Sequence, residues 1–432
     1  MENRKAIRTE YLIVGNSAGG IGAAEAIREV DKKSSITVAS DEPYPAYSRP
    51  LISGYLACER TVDEMLFRPA DFYSRNNIDL LLGKTVKHLE LHQRLAHLKS
   101  GEKITWNKLL LATGGIPIVP KMEGINKKGV FTFLTLDDAK AIDEYVKDYS
   151  QAVVIGGGLI GVSVSEALTK RGVKVTIVEM KDRVLNTILD EQASSIAEET
   201  FMEAGIRVVV NNTVAEVVGE PSVEGVVLAN GERIPCNLVI IAIGVLPRTE
   251  LVRDTEIKVN RGIVVDRHMA TSYPDIYSCG DVAEAYDFVY GENRLTPIWP
   301  NAYIGGMVAG YNMAGNKTEY LGGTAMNSVN YFGLDITTAG IVNPPDSSNY
   351  EVIARHADNV YQKVMLNDGL VVGMVFVKDI EKSGMIFSLM RERVDVSSFK
   401  QALLADDFGL AYLPEELWRE RLGNVPAPVS NQ

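Results

Sequence analysis

Two glycine-rich stretches and a few scattered polar residues carry the chemistry open to this chain. Residues 14–24 read VGNSAGGIGAA, and within them Gly15-Asn16-Ser17-Ala18-Gly19 matches the G-x-S-x-G elbow of serine hydrolases. Read that way, Ser17 is an acyl-transfer nucleophile. Read as a turn ahead of a helix, the same residues cradle a phosphate. Residues 152–179, AVVIGGGLIGVSVSEALTKRGVKVTIVE, hold Gly156, Gly158 and Gly161 in a full G-x-G-x-x-G, the spacing of a dinucleotide turn. His88, His92 and His97 fall close together in KHLELHQRLAHL, a candidate metal set. Cys58, Cys236 and Cys279 are the three thiols. No C-x-x-C occurs, so zinc ribbons, iron–sulfur clusters and thioredoxin-type pairs lack ligands.

The elements around these residues decide between the readings. YLIV (11–14) is a buried-type strand, IGAAEAIREV is apolar at helical spacing, and ITVAS (36–40) is a second strand. That is a βαβ unit, and residues before 11 carry no strand to supply a hydrolase oxyanion hole. The same unit recurs from 152 to 179, which aligns Gly15, Ser17 and Gly20 with Gly156, Gly158 and Gly161. Two in-frame copies point to two bound nucleotides, with each helix N-terminus facing a pyrophosphate. Glu179 ends the second strand of the second unit. A carboxylate there accepts from a ribose and repels a 2′-phosphate, so NAD is favoured over NADP, with Lys181 and Arg183 close behind working the other way. In the first unit Ser40, Asp41 and Glu42 share the corresponding place, and the sequence leaves open which of them meets a ribose. For the histidines, Leu89 and Leu91 alternate with polar neighbours and HQR reads as a turn, so a hairpin with His88 and His97 as exposed cross-strand neighbours outweighs a metal site.

Bulk properties bound the rest. The chain has 432 residues, about three domains' worth. Its 44 basic and 56 acidic residues leave a net charge of −12, which argues against nucleic-acid or anionic-membrane partners. The longest apolar run, 238–246, is far short of the ~20 residues that span a bilayer. MENRKAIRTEY lacks an apolar export core, and a cytoplasmic protein is expected.

Further motifs give a family. LLLATGG (109–115), LVIIAIGVLPR (238–248) and Tyr277-Ser278-Cys279-Gly280-Asp281, with the two nucleotide units, resemble the FAD- and NAD-dependent pyridine nucleotide-disulfide oxidoreductase superfamily across nearly the whole chain. PYPAYSRPLISGYL (43–56), TPIWPNAYIGGMVAGYNMAG (296–315) and the C-terminal region are similar to one branch, that of NADH:rubredoxin reductases, oxygenase-coupled ferredoxin reductases and NADH oxidases. The resemblance implies that Gly15, Ser17, Ala18 and Gly20 meet the FAD pyrophosphate and Val86 the adenine. It sets Arg49 beside the flavin, Ala112, Thr113 and Gly114 along its edge, and Asp281 on a ribityl hydroxyl that Gly280 lets approach. Trp299 and Pro300 would precede a helix whose N-terminus faces the flavin, Trp299 being either a flavin neighbour or core. For NAD it implies Gly156, Gly158, Leu159, Ile160, Gly161, Ser163, Glu179, Ala242 and Gly244.

Two departures from that branch's wider family stand out. Arg49-Pro50 occupies the place where disulfide-reducing members carry a reactive cysteine. With Ser48 and Pro50 at a helix start, Cys58 is expected along that helix, about 12 Å from its beginning and out of reach of the flavin. Cys236 and Cys279 read as small buried residues. Ser163 stands where relatives usually carry a glutamate that helps to place the nicotinamide.

The expected fold is α/β: two Rossmann-like nucleotide-binding domains, the FAD domain interrupted by the NAD domain, and a C-terminal α+β interface domain. The expected boundaries are 1–119 and 246–319 for FAD, 120–245 for NAD, and 320–432 for the interface domain and tail. Within the last, YQKVMLNDGLVVGMVFVKD predicts a hairpin on Asn-Asp-Gly and IEKSGMIFSLMRERV a helix. The implied function is hydride transfer from NADH to FAD and delivery of electrons to a small iron carrier such as rubredoxin or ferredoxin. The alternatives are dioxygen as acceptor, or a redox sensor or complex subunit with little turnover. In relatives the C-terminal unit builds a subunit interface, which implies a homo-oligomer.

Overall fold

The computed structural model describes residues 6–147, 150–344, 346–409 and 412–413. The chain opens on β1 (Ile7–Val14), passes through the first glycine turn into α1 (Ala18–Val30) and returns as β2 (Ile36–Ala39), parallel to β1 with Tyr11 opposite Ile36. Two short helices follow, α2 (Ile52–Leu56) and α3 (Phe72–Arg75), then β3 (Ile78–Leu81), β4 (Val86–Glu90), β5 (Leu95–Leu98) and β6 (Lys103–Leu111). The sheet order is β3-β2-β1-β6-β5-β4, with a later strand also paired to β6. Leu12, Ile13 and Leu109 to Leu111 are fully buried in its core, as strands covered on both faces require. The βα turn therefore emerges at the carboxyl edge of a packed sheet, where such folds bind ligands.

The second sheet repeats the design. β7 (Gly115–Pro117) leads to β8 (Val130–Thr132), α4 (Leu136–Tyr145), β9 (Gln151–Ile155), α5 (Leu159–Lys170), β10 (Lys174–Val178), α6 (Glu191–Glu203) and β11 (Arg207–Val209). An antiparallel trio, β12 (Val214–Val218), β13 (Gly225–Leu228) and β14 (Arg233–Pro235), precedes β15 (Leu238–Ile241) and β16 (Val245–Pro247). The parallel order is β11-β10-β9-β15-β8. β7 and β16 pair antiparallel, Val245 opposite Pro117, so the chain enters and leaves this layer on one two-stranded ribbon.

Beyond it come β17 (Ile263–Val264) and β18 (Ile276–Ser278), which joins β6. Then follow β19 (Ala283–Asp287), β20 (Glu292–Leu295) and α7 (Trp299–Met313). α7 packs on α1 through small residues. A side chain at Gly306 would overlap the Gly19 carbonyl, and one at Gly310 would press on Ala23. That contact brings two helix N-termini to one region of the molecule.

Two compact units result: residues through 186 with Ala197–Ala325, and Thr187–Ile196 with residues from Met326 on. The second unit is an antiparallel sheet, β21 (Met326–Tyr331), β22 (Leu334–Gly340), β23 (Glu351–Ala357), β24 (Val360–Asn367) and β25 (Leu370–Val377), with α8 (Ser383–Arg391). The predicted hairpin is β24–β25, turning on Asp368 and Gly369, both left-handed as a two-residue turn demands. Asp190 belongs to this unit because the Lys363 ammonium and the Tyr361 hydroxyl both donate to its carboxylate, at 2.8 and 2.7 Å. Of the tail, Leu403, Phe408 and Leu413 are buried, while residues 414–432 lie outside the described ones. The described residues hold no helix long and apolar enough to cross a membrane.

Candidate functional site

The first glycine turn is built for an anion. Gly15 has φ of +119°, and a Cβ on it would overlap the Ala112 carbonyl oxygen. One on Gly20 would overlap Gly15 itself. Ser17 is the N-cap of α1, yet its side chain caps nothing and the first turn holds no acidic residue. The opening N–H groups of α1 thus carry their dipole outward without a side-chain partner. Asn16 fixes the turn: the Tyr73 hydroxyl donates to Asn16 Oδ1 at 2.7 Å and itself accepts from the Ala46 N–H at 3.0 Å. Sequence reasoning missed Tyr73, because nothing local marks a tyrosine that reaches back across the sheet.

The second turn has the same geometry. Gly156 is left-handed at φ +106°, packed on the Ala242 carbonyl, and Gly161 abuts Gly156. Gly158, the N-cap of α5, has nothing within 4 Å of where its side chain would go. That is open space in front of a helix N-terminus, where a pyrophosphate fits. Leu159, Ile160 and Ser163 are half-buried on the first turns of α5, and Gly244 follows β15 with only Ile118 nearby. Glu179 sits beneath the turn. The Gly157 N–H donates to its Oε2 at 2.7 Å and the Lys181 N–H to its Oε1 at 2.8 Å. Arg183 pairs with Asp182 at 2.8 Å, so its charge is partly spent. Glu179→Ala should raise the KM for NADH about tenfold and narrow any preference for NADH over NADPH, since it removes both the turn's anchor and the carboxylate that repels a 2′-phosphate. Steady-state kinetics with both nucleotides measures this, and a parent enzyme that prefers NADPH would refute it.

The three acidic-edge candidates separate. Ser40 is buried at the end of β2. Asp41 pairs with Arg248 at 2.6 Å on the surface. Glu42 is held by Arg49 and Tyr47. The Thr113 hydroxyl donates to the Arg248 carbonyl at 2.9 Å and the Arg248 N–H to the Gly114 carbonyl, which ties Ala112–Gly114 to the β7–β16 ribbon. Val86 is buried at the start of β4. Asp281 follows Gly280, whose φ of +76° suits glycine. Among the described residues its carboxylate takes no hydrogen bond. Burial pushes its pKa upward, and the Arg49 charge pulls it back. A half-buried carboxylate without a donor fits a sugar hydroxyl.

Three expectations need correction. Trp299 does not precede the helix but is its first residue, with Phe67 edge-on at 5.1 Å. Cys58 is not a helix residue: α2 stops at Leu56, and Cys58 lies beyond it, exposed and left-handed at φ +59°. The Gly54 carbonyl accepts from Glu59 and Arg60, which closes the helix early. His97 is only half-buried rather than fully exposed, hydrogen-bonded to Glu90 beside His88 as its cross-strand neighbour. Cys236 and Cys279 are buried, which pushes each thiol up to about 12. Among the described residues no group of three His, Cys, Asp or Glu is placed to hold a metal ion.

The family model described as pyridine nucleotide-disulphide oxidoreductase matches residues 9–314. The chain belongs to this family. Residues 326–394 match the rubredoxin NAD+ reductase C-terminal domain. As a pyridine nucleotide-disulphide oxidoreductase it is an NAD-dependent enzyme with FAD and NAD as cofactors, and the two turns, the uncapped helices and the undonated Asp281 fit both dinucleotides. It is 30% identical over 420 residues to the NADH-dependent phenylglyoxylate dehydrogenase subunit epsilon of Aromatoleum evansii, covering 95% of this chain and 98% of that one. It is 29% identical to the NAD(P)H nitrite reductase of Bacillus subtilis over 90% of this chain but 48% of that protein, so it spans about half that relative's length. The solved NADH:rubredoxin oxidoreductase from Clostridium acetobutylicum superposes with a TM-score of 0.75 at 27% identity, over 91% of this chain and 97% of that one.

Proposed function

We propose that this protein oxidises NADH and delivers the electrons singly to a small iron carrier protein of the rubredoxin or ferredoxin kind. The carrying observation is the state of the thiols: two are buried and held protonated, and the third lies outside the helix that follows Arg49. Neither buried thiol can serve as a thiolate relay, and Arg49 rather than a cysteine stands ahead of α2, so electrons leave the cofactor directly. Bound FAD supplies the hydride acceptor and the one-electron donor. The chain's part is to bind and orient. Gly15, Ser17, Ala18 and Gly20 hold one pyrophosphate, with Ser40 nearest the adenosine ribose, Val86 at the adenine and Asp281 on the ribityl chain. Gly156, Gly158 and Gly161 hold the other pyrophosphate, Glu179 the ribose, and Leu159, Ile160, Ser163, Ala242 and Gly244 the nicotinamide end. Arg49, Ala112–Gly114 and Trp299 surround the flavin. Domain bounds at 119/120, just past β7, and at 245/246, within β16, and a cytoplasmic homo-oligomer built on the C-terminal unit complete the reading.

Stopped-flow mixing of NADH-reduced protein with rubredoxin, ferredoxin or dioxygen tests it. Reoxidation by a carrier should be at least about tenfold faster than by dioxygen. It should slow as salt rises, because an acidic carrier steered by local charge is screened beyond about 10 Å at 0.1 M. Fastest reoxidation by dioxygen makes the protein an oxidase instead. The end-to-end match to subunit epsilon favours a second reading, an electron-delivering subunit of a larger assembly, which predicts NADH turnover with artificial dyes but little with any free carrier.

A further inference from the structure

Both oxygens of Glu42 are already engaged by neighbouring side chains. Its Oε1 accepts from the Arg49 guanidinium, and its Oε2 accepts from the Tyr47 hydroxyl at 2.6 Å. The contact is well sheltered, with side-chain exposures of 16% for Glu42 and 32% for Arg49. Arg49 reaches further: Nη1 donates to the Leu134 carbonyl at 3.1 Å. The Tyr47 hydroxyl in turn accepts from the Leu136 N–H at 3.0 Å. Arg49 and Tyr47, joined through Glu42, therefore fasten residues 42–49 to the beginning of α4, and Arg49 cannot move without breaking its bonds to both Glu42 and Leu134.

The charges matter as much as the bonds. Arg49 is the cation whose field reaches Asp281, the carboxylate assigned above to the ribityl chain. Whatever the charge on Asp281, an ionised Glu42 leaves the trio Glu42, Arg49 and Asp281 one unit more negative than it would be without that carboxylate. Negative charge held beside a cofactor opposes its gain of electrons, and in a sheltered site that effect is poorly screened.

We propose that Glu42 is a positioning residue that fixes Arg49 beside the flavin and offsets its charge, keeping the reduction potential of bound FAD below the value that Arg49 alone would set. This rests on the reading that FAD occupies the first glycine turn. Glu42 then tunes how readily electrons leave for a carrier, a role distinct from binding a nucleotide.

The test is the redox equilibrium between the FAD-loaded protein and a reference dye, followed by absorbance without any acceptor turnover. Glu42→Gln keeps the shape and removes the charge. It should move the equilibrium about tenfold toward reduced protein, or about 30 mV for a two-electron couple. Arg49→Gln should move it the opposite way, and Tyr47→Phe, which keeps both charges, should shift it less than about threefold. If Glu42→Gln loses flavin, Glu42→Asp decides: flavin retained at the parent's equilibrium supports a charge role, and flavin lost again overturns it. An unchanged or lowered potential in Glu42→Gln also overturns the proposal, as does a Tyr47→Phe shift of equal size. A parent protein that binds no FAD overturns the functional reading itself and is told apart by its missing flavin absorbance.

Discussion

Gly161→Val should leave FAD in place and abolish useful reduction by NADH. The Cβ alone would overlap the Gly156 carbonyl, which is backbone and cannot swing aside. The α5 N-terminus must back away from the turn, taking the N–H donors at Gly158 with it. Overpacking of this kind costs about 1–3 kcal/mol or more, and at about 1.4 kcal/mol per decade the affinity for NADH should fall about a hundredfold. Flavin absorbance after purification reports the first site, and rapid-mixing reduction across a range of NADH concentrations reports the second. A variant reduced at the parent's rate and half-saturation would show that the second turn does not bind the nucleotide.

Gly306→Val should do the reverse, producing protein without flavin. Gly306 lies against the carbonyl of Gly19, the second residue of α1, and Gly310 and Gly22 continue the seam against Ala23 and Tyr303. A branched side chain pries the two helices apart at the end that faces the cofactor. Glu25 limits any compensation, because Arg68 and Tyr303 both hydrogen-bond to its carboxylate and clamp the far side of the seam. A loss of most bound FAD, together with a melting temperature lowered by several degrees, is the expected outcome. Near-full flavin content in a folded variant would mean that the helix contact does not position the first turn.

Much of this arrangement is legible in the chain itself because its rules are local. A glycine that must be left-handed, a small residue under a carbonyl and an apolar run of strand length all act within a few positions. The two βαβ units, the hairpin at Asp368-Gly369 and the helix at Ser383–Arg391 were readable for that reason. The role of Glu42 was not. Its partners include Arg49 and Tyr47, close in sequence, but the loop's orientation is set by Leu134 and Leu136, brought near only by the fold. Cys58 misled for a related reason. Proline in the first turn announces where a helix begins, whereas its end depended on the Gly54 carbonyl bonding to Glu59 and Arg60. The Gly306–Gly19 seam had a visible signal, small residues at Gly306 and Gly310 spaced one turn apart, which points to close helix contact but not to which helix.

The β7–β16 ribbon has a consequence for how such a protein can be taken apart. Because Val245 and Pro117 are cross-strand partners, the polypeptide leaves the first sheet and returns to it at neighbouring points. Everything between them is, in connectivity, a side branch on an otherwise continuous host, since β6 pairs directly with β18 on the far side of the insertion. A branch attached at adjacent points should be exchangeable for another of different nucleotide preference without redrawing the sheet that bears it, provided that the Asp190 bonds to Lys363 and Tyr361 are kept or replaced.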